Sequence, residues 1–358
     1  MAFLDIKNVR IAGMSTAVPK RVVHNNDALK ACGEEDNSKY IEQIGIIERR
    51  ESLELTVSDL QVMSAERMLV DLGWEKDSVD AILCVSLTPD YPLPVNACLI
   101  QDRLGLSKEC YAQDICLGCS GWVYGLSVLS SIMRDGNIKR GLLLTGDGRM
   151  TWGKGRNALQ FGHAGCVTAL EYAPGDEGFK FNFGTDGSGF DVVIMPQSGM
   201  RKMEYDEELI KRFDDPFMQH SMEAEMKEKE FLSFCINSVP KTINELCEHY
   251  NIDYKNCDYL VLHQANKSIN QHIVEKLDVA QEKVISSFEH FGNTLSASIP
   301  ITITTQLKGK IEGKNTSFIC CGFGVGLSWG SVSFSTKDIV ISDLIEVDDN
   351  QFENLTWV

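Results

Sequence analysis

Two kinds of hydrophobic pattern alternate along the chain. Predominantly apolar stretches at residues 9–14, 81–86, 141–145 and 166–172 predict buried strands, since a strand covered on both faces needs no strict polar alternation, and 112–116 is read with them although it holds Gln113 and Asp114. Between them, residues 58–72 and 120–134 carry apolar positions at helical spacing. A polar turn at 171–178 (EYAPGDEG) interrupts the pattern near the middle, and the order then resumes. Strands are predicted at 179–183, 192–195, 259–262, 316–321 and 329–334, with helices at 222–250 and 267–277. Such alternation predicts an α/β fold. The similar order on either side of the turn predicts two related halves, 1–175 and 176–358, although no residue-level repeat is visible.

Composition narrows the function more than the fold. With 358 residues, 43% hydrophobic and 24% charged, the chain reads as a soluble globular protein. The apolar stretch 318–329 is too short and too glycine-rich to span a bilayer. Residues 1–19 lack the basic-then-apolar order of a signal peptide, so a cytoplasmic location is expected. A net charge of −17 disfavours nucleic acid and anionic membranes as partners. An acidic carrier protein would need a local basic patch. Most of the twelve cysteines, such as Cys84, Cys320 and Cys321, lie in apolar runs where a reduced thiol packs as a small hydrophobe. No cysteine or histidine spacing suggests zinc, and no metal is expected.

Four segments could carry chemistry. In Asp114-Ile-Cys116-Leu-Gly-Cys119-Ser-Gly an apolar strand runs into a tight turn and a helix begins. A cysteine at a helix N-terminus meets unpaired N–H groups and the positive end of the dipole, which favour its thiolate and a developing oxyanion. Cys116 reads as core; its CxxC spacing with Cys119 also admits a redox dithiol. In Leu262-His263-Gln264-Ala265-Asn266 a histidine ends an apolar strand, where α/β folds place reactive groups. His290-Phe-Gly292-Asn293-Thr294 is a glycine turn before small residues, and a lone Asn there is usually a cap. The fourth segment, 321–330, contains both GxGxG and GxSxG. No histidine follows Ser328, which removes the hydrolase reading, and only 28 residues remain after Gly330, which removes the dinucleotide reading. A glycine turn that brings backbone N–H groups close to another site remains.

In this order the segments resemble the β-ketoacyl-ACP synthase III family over residues 8–335: the Cys119-Ser-Gly nucleophile region, the HQAN of 263–266, the Gly292-Asn293-Thr294 turn and the closing glycine-rich turn. The resemblance implies a thiolase-like fold of five layers (αβαβα) in two pseudo-equivalent halves, and a homodimer. It implies that Cys119 takes an acyl group from an acyl-CoA or acyl-ACP thioester. Malonyl-ACP or malonyl-CoA then loses CO₂, and its enolate attacks the acyl-cysteine while His263 and Asn293 donate to the thioester carbonyl. The amides of Cys119 and Val325 would form the oxyanion hole. Asn266 and Lys267 would face the pantetheine and the acyl carrier protein, and Leu93 would enter the acyl pocket of the partner subunit. No cofactor beyond the thioester substrates is implied.

Some positions depart from the family. Lys39 and Gln43 stand where a Trp and an Arg usually hold the adenine of CoA, which favours a protein-borne acyl donor. Val325 replaces a Gly or Ala, Ser268 stands where a carrier-docking Arg is frequent, and His163 replaces an Asp without an evident role. Leu93 is smaller than the usual aromatic and suggests chains longer than acetyl. Residues 336–358 extend past the family's usual end, as an edge strand or a dimer arm. Two competing readings stay open: transfer of the acyl group to an alcohol or amine without decarboxylation, and a catalytically silent partner subunit.

Overall fold

A computed structural model describes residues 2–31, 38–148, 156–196 and 224–352. Up to the central turn it contains β1 (Ala2–Ile6), β2 (Val9–Pro19), β3 (Val22–His24), β4 (Glu48–Arg50), β5 (Ala81–Val85), β6 (Tyr111–Ile115), β7 (Arg140–Asp147) and β8 (Ala164–Tyr172). Beyond it lie β9 (Phe179–Thr185), β10 (Val193–Ile194), β11 (Glu225–Met226), β12 (Tyr259–Leu262), β13 (Thr316–Gly324), β14 (Ser328–Thr336), β15 (Val340–Ile341) and β16 (Ile345–Val347). The helices are α1 (Asn25–Ala31), α2 (Ser38–Ile44), α3 (Val57–Leu72), α4 (Asn96–Leu104), α5 (Gly121–Met133), α6 (Glu228–Tyr250), α7 (Lys267–Leu277), α8 (Phe288–Phe291) and α9 (Ser298–Leu307).

The duplication that the residues conceal is plain in the sheets. One sheet orders β2-β8-β7-β5, with β6 beyond β5, and the other β9-β14-β13-β12; in each, the first of these strands pairs with the last, and the last with the one before it. The senses agree as well: antiparallel, antiparallel, parallel in both. The turn at 171–178 separates the two series, but the sheets do not divide there. β1 pairs with β9 in the second sheet, and β15 and β16 pair with β2 in the first. The division 1–175/176–358 therefore needs correction at both ends, because each terminal segment completes the sheet of the opposite half. The extension past 336 is β15, β16 and a short 3₁₀ turn; Trp357 lies outside the described residues.

Five layers follow from where the helices pack. α5 and α9 lie between the sheets, α3 and α4 cover the outer face of the first, and α6 and α7 the outer face of the second. A central helix must be apolar around its whole circumference and must come close to its neighbours. In α5, Trp122, Leu126, Leu129 and Met133 are fully buried. A Cβ on Gly125 would lie 2.7 Å from Leu143 Cδ1, so glycine sets the approach of α5 to the sheet. α9 is rich in Ser and Thr, and turns its hydroxyls back on the backbone: Thr302 Oγ1 donates to Ser298 O at 2.7 Å. α3 is closed by its own sequence, with a Thr56–Asp59 capping box in front and Gly73 in the left-handed region behind.

Three expected elements shift. The helix expected from 222 begins at Glu228, and residue 222 lies outside the described residues. The 192–195 strand shrinks to the two residues of β10. The 112–116 strand is β6, which is the edge of its sheet and half exposed, not buried. No helix among the described residues is long and apolar enough to cross a membrane.

Candidate active site

Cys119 follows β6 and directly precedes Ser120, the residue in front of the first turn of α5. The loop is pressed from the other sheet by β13. A Cβ on Gly324 would lie 2.7 Å from Cys119 Cβ, and one on Gly322 would lie 2.9 Å from Cys119 O. The close approach expected of the glycine-rich segment is thus made onto Cys119. Ser120 and Ser328 share a 2.7 Å hydroxyl contact, and Ser328 donates to Val325 O at 2.8 Å, so the glycine turn and the start of α5 are tied together.

His263 ends β12. Its amide donates to Cys321 O at 2.8 Å, and its own carbonyl accepts from Asn270 Nδ2 at 3.1 Å. The ring is fully buried, with Nδ1 2.7 Å from Ser298 Oγ on α9 and the Phe323 ring edge-on at 5.3 Å. Burial pushes its pKa down to about 3, so it is a neutral imidazole. Its Nε2 has no hydrogen-bond partner among the described residues. A buried nitrogen left unpaired costs free energy unless a ligand supplies the partner.

Asn293 is held on both sides. Its amide donates to Gln160 O at 2.7 Å, and its carbonyl accepts from Gly162 N at 3.1 Å. Its Oδ1 accepts from Leu295 N at 2.9 Å. The two backbones approach so closely that a Cβ on Gly162 would lie 2.1 Å from Phe291 O. This accounts for the glycine of the 162–165 segment. The neighbouring His163 has a structural place, its Nδ1 accepting from Ser52 N at 3.2 Å and its amide donating to Arg50 O.

Cys119, His263 and Asn293 line one cavity of about 180 Å³, together with Val325, Asn266 and Ser268. Asn266 caps α7, its Oδ1 accepting from Ile269 N, while its Nδ2 donates to Gln160 Oε1 at 3.1 Å. Gln43 lines the same cavity; Lys39 is exposed on α2 and does not. Lys267 borders a neighbouring cavity with Gly45 and Phe288. Leu93 is 81% exposed and does not reach the cavity of its own chain. Among the described residues no cluster of His, Cys, Asp or Glu could hold a metal ion.

Two expectations are corrected here. Cys116 is exposed rather than core, because β6 is an edge; both it and Cys119 are free thiols. Cys119 is not favoured as a thiolate: burial first, and then the charge of Asp147, push its pKa well up against the hydrogen bond of its own backbone. Gln160, Ser298 and Asp147 went unnoticed in the sequence. The signal for Asp147 is an acid at the very end of an apolar strand, where the next layer must satisfy it.

Comparison with known proteins agrees with this geometry. Residues 113–187 match the family described as 3-oxoacyl-(acyl-carrier-protein) synthase III, and residues 247–336 its C-terminal part. A beta-ketoacyl-(acyl-carrier-protein) synthase III of Clostridium perfringens is 30% identical over 330 residues, covering 91% of this chain and 98% of that protein. The Bacillus cereus synthase III 1 is also 30% identical, over 334 residues, with the same coverage of both chains. A crystal structure of a 3-oxoacyl-(acyl-carrier protein) synthase from Burkholderia xenovorans superposes with a TM-score of 0.87 at 34% identity, over 97% of this chain and 99% of that one. The fold is the thiolase-like fold of these synthases, and the chain belongs to the β-ketoacyl-(acyl-carrier-protein) synthase III family.

Proposed function

We propose that this chain is a condensing enzyme that joins an acyl group to a malonyl unit with loss of CO₂. One observation carries the reading: a buried thiol, a neutral imidazole with an unpartnered Nε2 and an anchored amide share one cavity. In the first step Cys119 Sγ attacks the thioester carbonyl, its S–C bond forms, and its proton leaves on the departing thiol. In the second, malonyl thioester loses CO₂ and the resulting enolate carbon attacks the acyl-cysteine. The new C–C bond forms, the Cys119 S–C bond breaks, and Sγ takes back a proton.

Decarboxylation needs donors for the enolate oxygen rather than a base. With the Ser298 hydroxyl donating to Nδ1, the one proton of His263 sits on Nε2 and faces the cavity. The amide of Asn293, fixed through Oδ1, offers its NH₂ as the second donor. The backbone amides of Cys119 and Val325 serve the acyl carbonyl, and no cofactor beyond the thioesters is needed.

Among the described lining residues Glu228 is the sole charged side chain, so none of these residues is a cation that could pair with a CoA phosphate. This supports a carrier-bound acyl donor and malonyl-ACP as extender, with Asn266 on the pantetheine side and Lys267 outside it on the carrier side. A homodimer in the cytoplasm completes the reading. The β6 edge and the exposed Tyr91, Leu93 and Val95 form the contact, and Leu93 enters the partner's cavity.

Intact-protein mass spectrometry tests the chemistry. Incubation with acyl-carrier and acyl-CoA thioesters should add one acyl group to the wild type and none to Cys119→Ala. Malonyl-carrier should then discharge it with release of CO₂. Discharge to an alcohol or amine without malonyl thioester would overturn the condensing reading.

A further inference from the structure

Asp147 ends β7 with its side chain fully buried. Its Oδ1 accepts from the Leu87 amide at 2.6 Å and the Ser86 hydroxyl at 3.2 Å. Its Oδ2 accepts from the Ser296 hydroxyl at 2.9 Å and the Ser296 amide at 3.3 Å. Both sides of this bracket lead to reacting groups. Leu87 packs beneath Gly118, the residue before Cys119: a Cβ there would lie 2.8 Å from Leu87 Cδ1. Ser296 lies three residues past Asn293, and its Cβ would meet a Cβ on Gly121, at the start of α5, at 3.3 Å. Ser296 Oγ also accepts from Gly146 N at 2.9 Å, which locks the bracket to β7.

We infer that Asp147 is a positioning residue for the condensation proposed above: one buried carboxylate fixes the Asn293 turn against the Cys119 loop and brings its negative charge near the nucleophile. A carboxylate suits this place because it accepts on both oxygens, and all four groups that meet it are donors. An amide of the same shape would turn its NH₂ toward donors on one side and break that half of the bracket. The charge opposes the Cys119 thiolate. The site therefore rests as a thiol, and the thiolate forms only as the acyl donor is attacked. Among the described residues, the other titratable groups around the pair include Cys84 on β5 and Cys235 on α6, both kept protonated by burial, and His263, kept neutral across the cavity. Asp90 and Asp114 add negative charge on the Cys84 side. The carboxyl of Asp147 is itself pushed up to about 6 by burial, against the pull of its four hydrogen bonds, so it is ionised at pH 8.

The test compares Asp147→Asn and Ser296→Ala at pH 8, following condensation and the alkylation of Cys119 by iodoacetamide. Asp147→Asn should slow condensation about 10²-fold, as misplaced reacting groups do. It should also alkylate faster, by up to about tenfold, because a like charge has gone. Ser296→Ala keeps the charge and cuts the bracket, so condensation should fall while alkylation stays unchanged. Condensation within about twofold of wild type in both variants overturns the inference. So does slower alkylation in Asp147→Asn. If Asp147→Asn fails to fold, Ser296→Ala decides alone: loss of condensation with unchanged alkylation upholds the bracket, and unchanged condensation overturns it. Alkylation needs no thioester. A wild type that accepts no acyl group, beside an Asp147→Asn variant that alkylates faster, would refute the condensing reading and leave the placement of Asp147 standing.

Discussion

His263 and Asp147 stand in walls of the same region with opposite protonation biases, both imposed by burial. The histidine stays neutral in the folded chain down to about pH 3 but would protonate near 6.5 once unfolded. Its contribution to stability is therefore present above 6.5 and drains away as pH falls toward 3. Asp147 acts in reverse: with a folded value near 6, its contribution is full at low pH and lost as pH rises through 6. Between pH 7 and 5 the histidine alone should cost the wild type about 2 kcal/mol. His263→Gln should be free of that loss, as urea midpoints at the two pH values would show; equal losses in both proteins would sink the assignment. At this scale the sequence told a good deal about Cys119, His263 and Asn293, because each stands at a strand end or glycine turn. It told little about Ser298 or Asp147. A serine in a run of small residues and an acid after a strand look like any cap until the fold brings distant segments onto them.

Among the elements, the glycine-rich β13 terminus shows how far a pattern can be read. Its two glycines, Gly322 and Gly324, announce a close approach, yet nothing in the spacing says what approaches. The answer, Cys119, comes from the pairing of the two sheets around α5. Gly324→Ala should therefore act on chemistry before it acts on stability. The added methyl would press Cys119 at 2.7 Å, and acyl transfer to the thiol should fall at least about tenfold. Gly187→Ala is the control, since nothing lies within 4 Å of its added Cβ. Equal acylation in both variants would show that the loop gives way freely. β6 misled in the other direction. Its apolar residues predict burial, and in one chain they form an edge.

For the whole molecule, the duplicated strand order was legible as alternation and invisible as residue identity, because layers demand polarity and size rather than particular side chains. The crossed ends were not legible at all. Their weight can be measured by ending the chain after Thr336. Ile339, Ile341 and Val347 are then lost from the core, at about 1.5–3 kcal/mol each, and the β2 edge is bared. The shortened protein should melt markedly lower and aggregate at lower temperature; an unchanged melting temperature would make the extension dispensable.

The crossed ends also set the order in which the protein can be made. On a ribosome, β2 emerges early, but its parallel partners β15 and β16 are among the last segments described. β1 emerges first of all and must wait for β9. The first sheet cannot be completed until β16 has been made. The nascent first half thus carries an open, hydrophobic strand edge for most of its synthesis, the state in which chaperone capture and misassembly compete with folding.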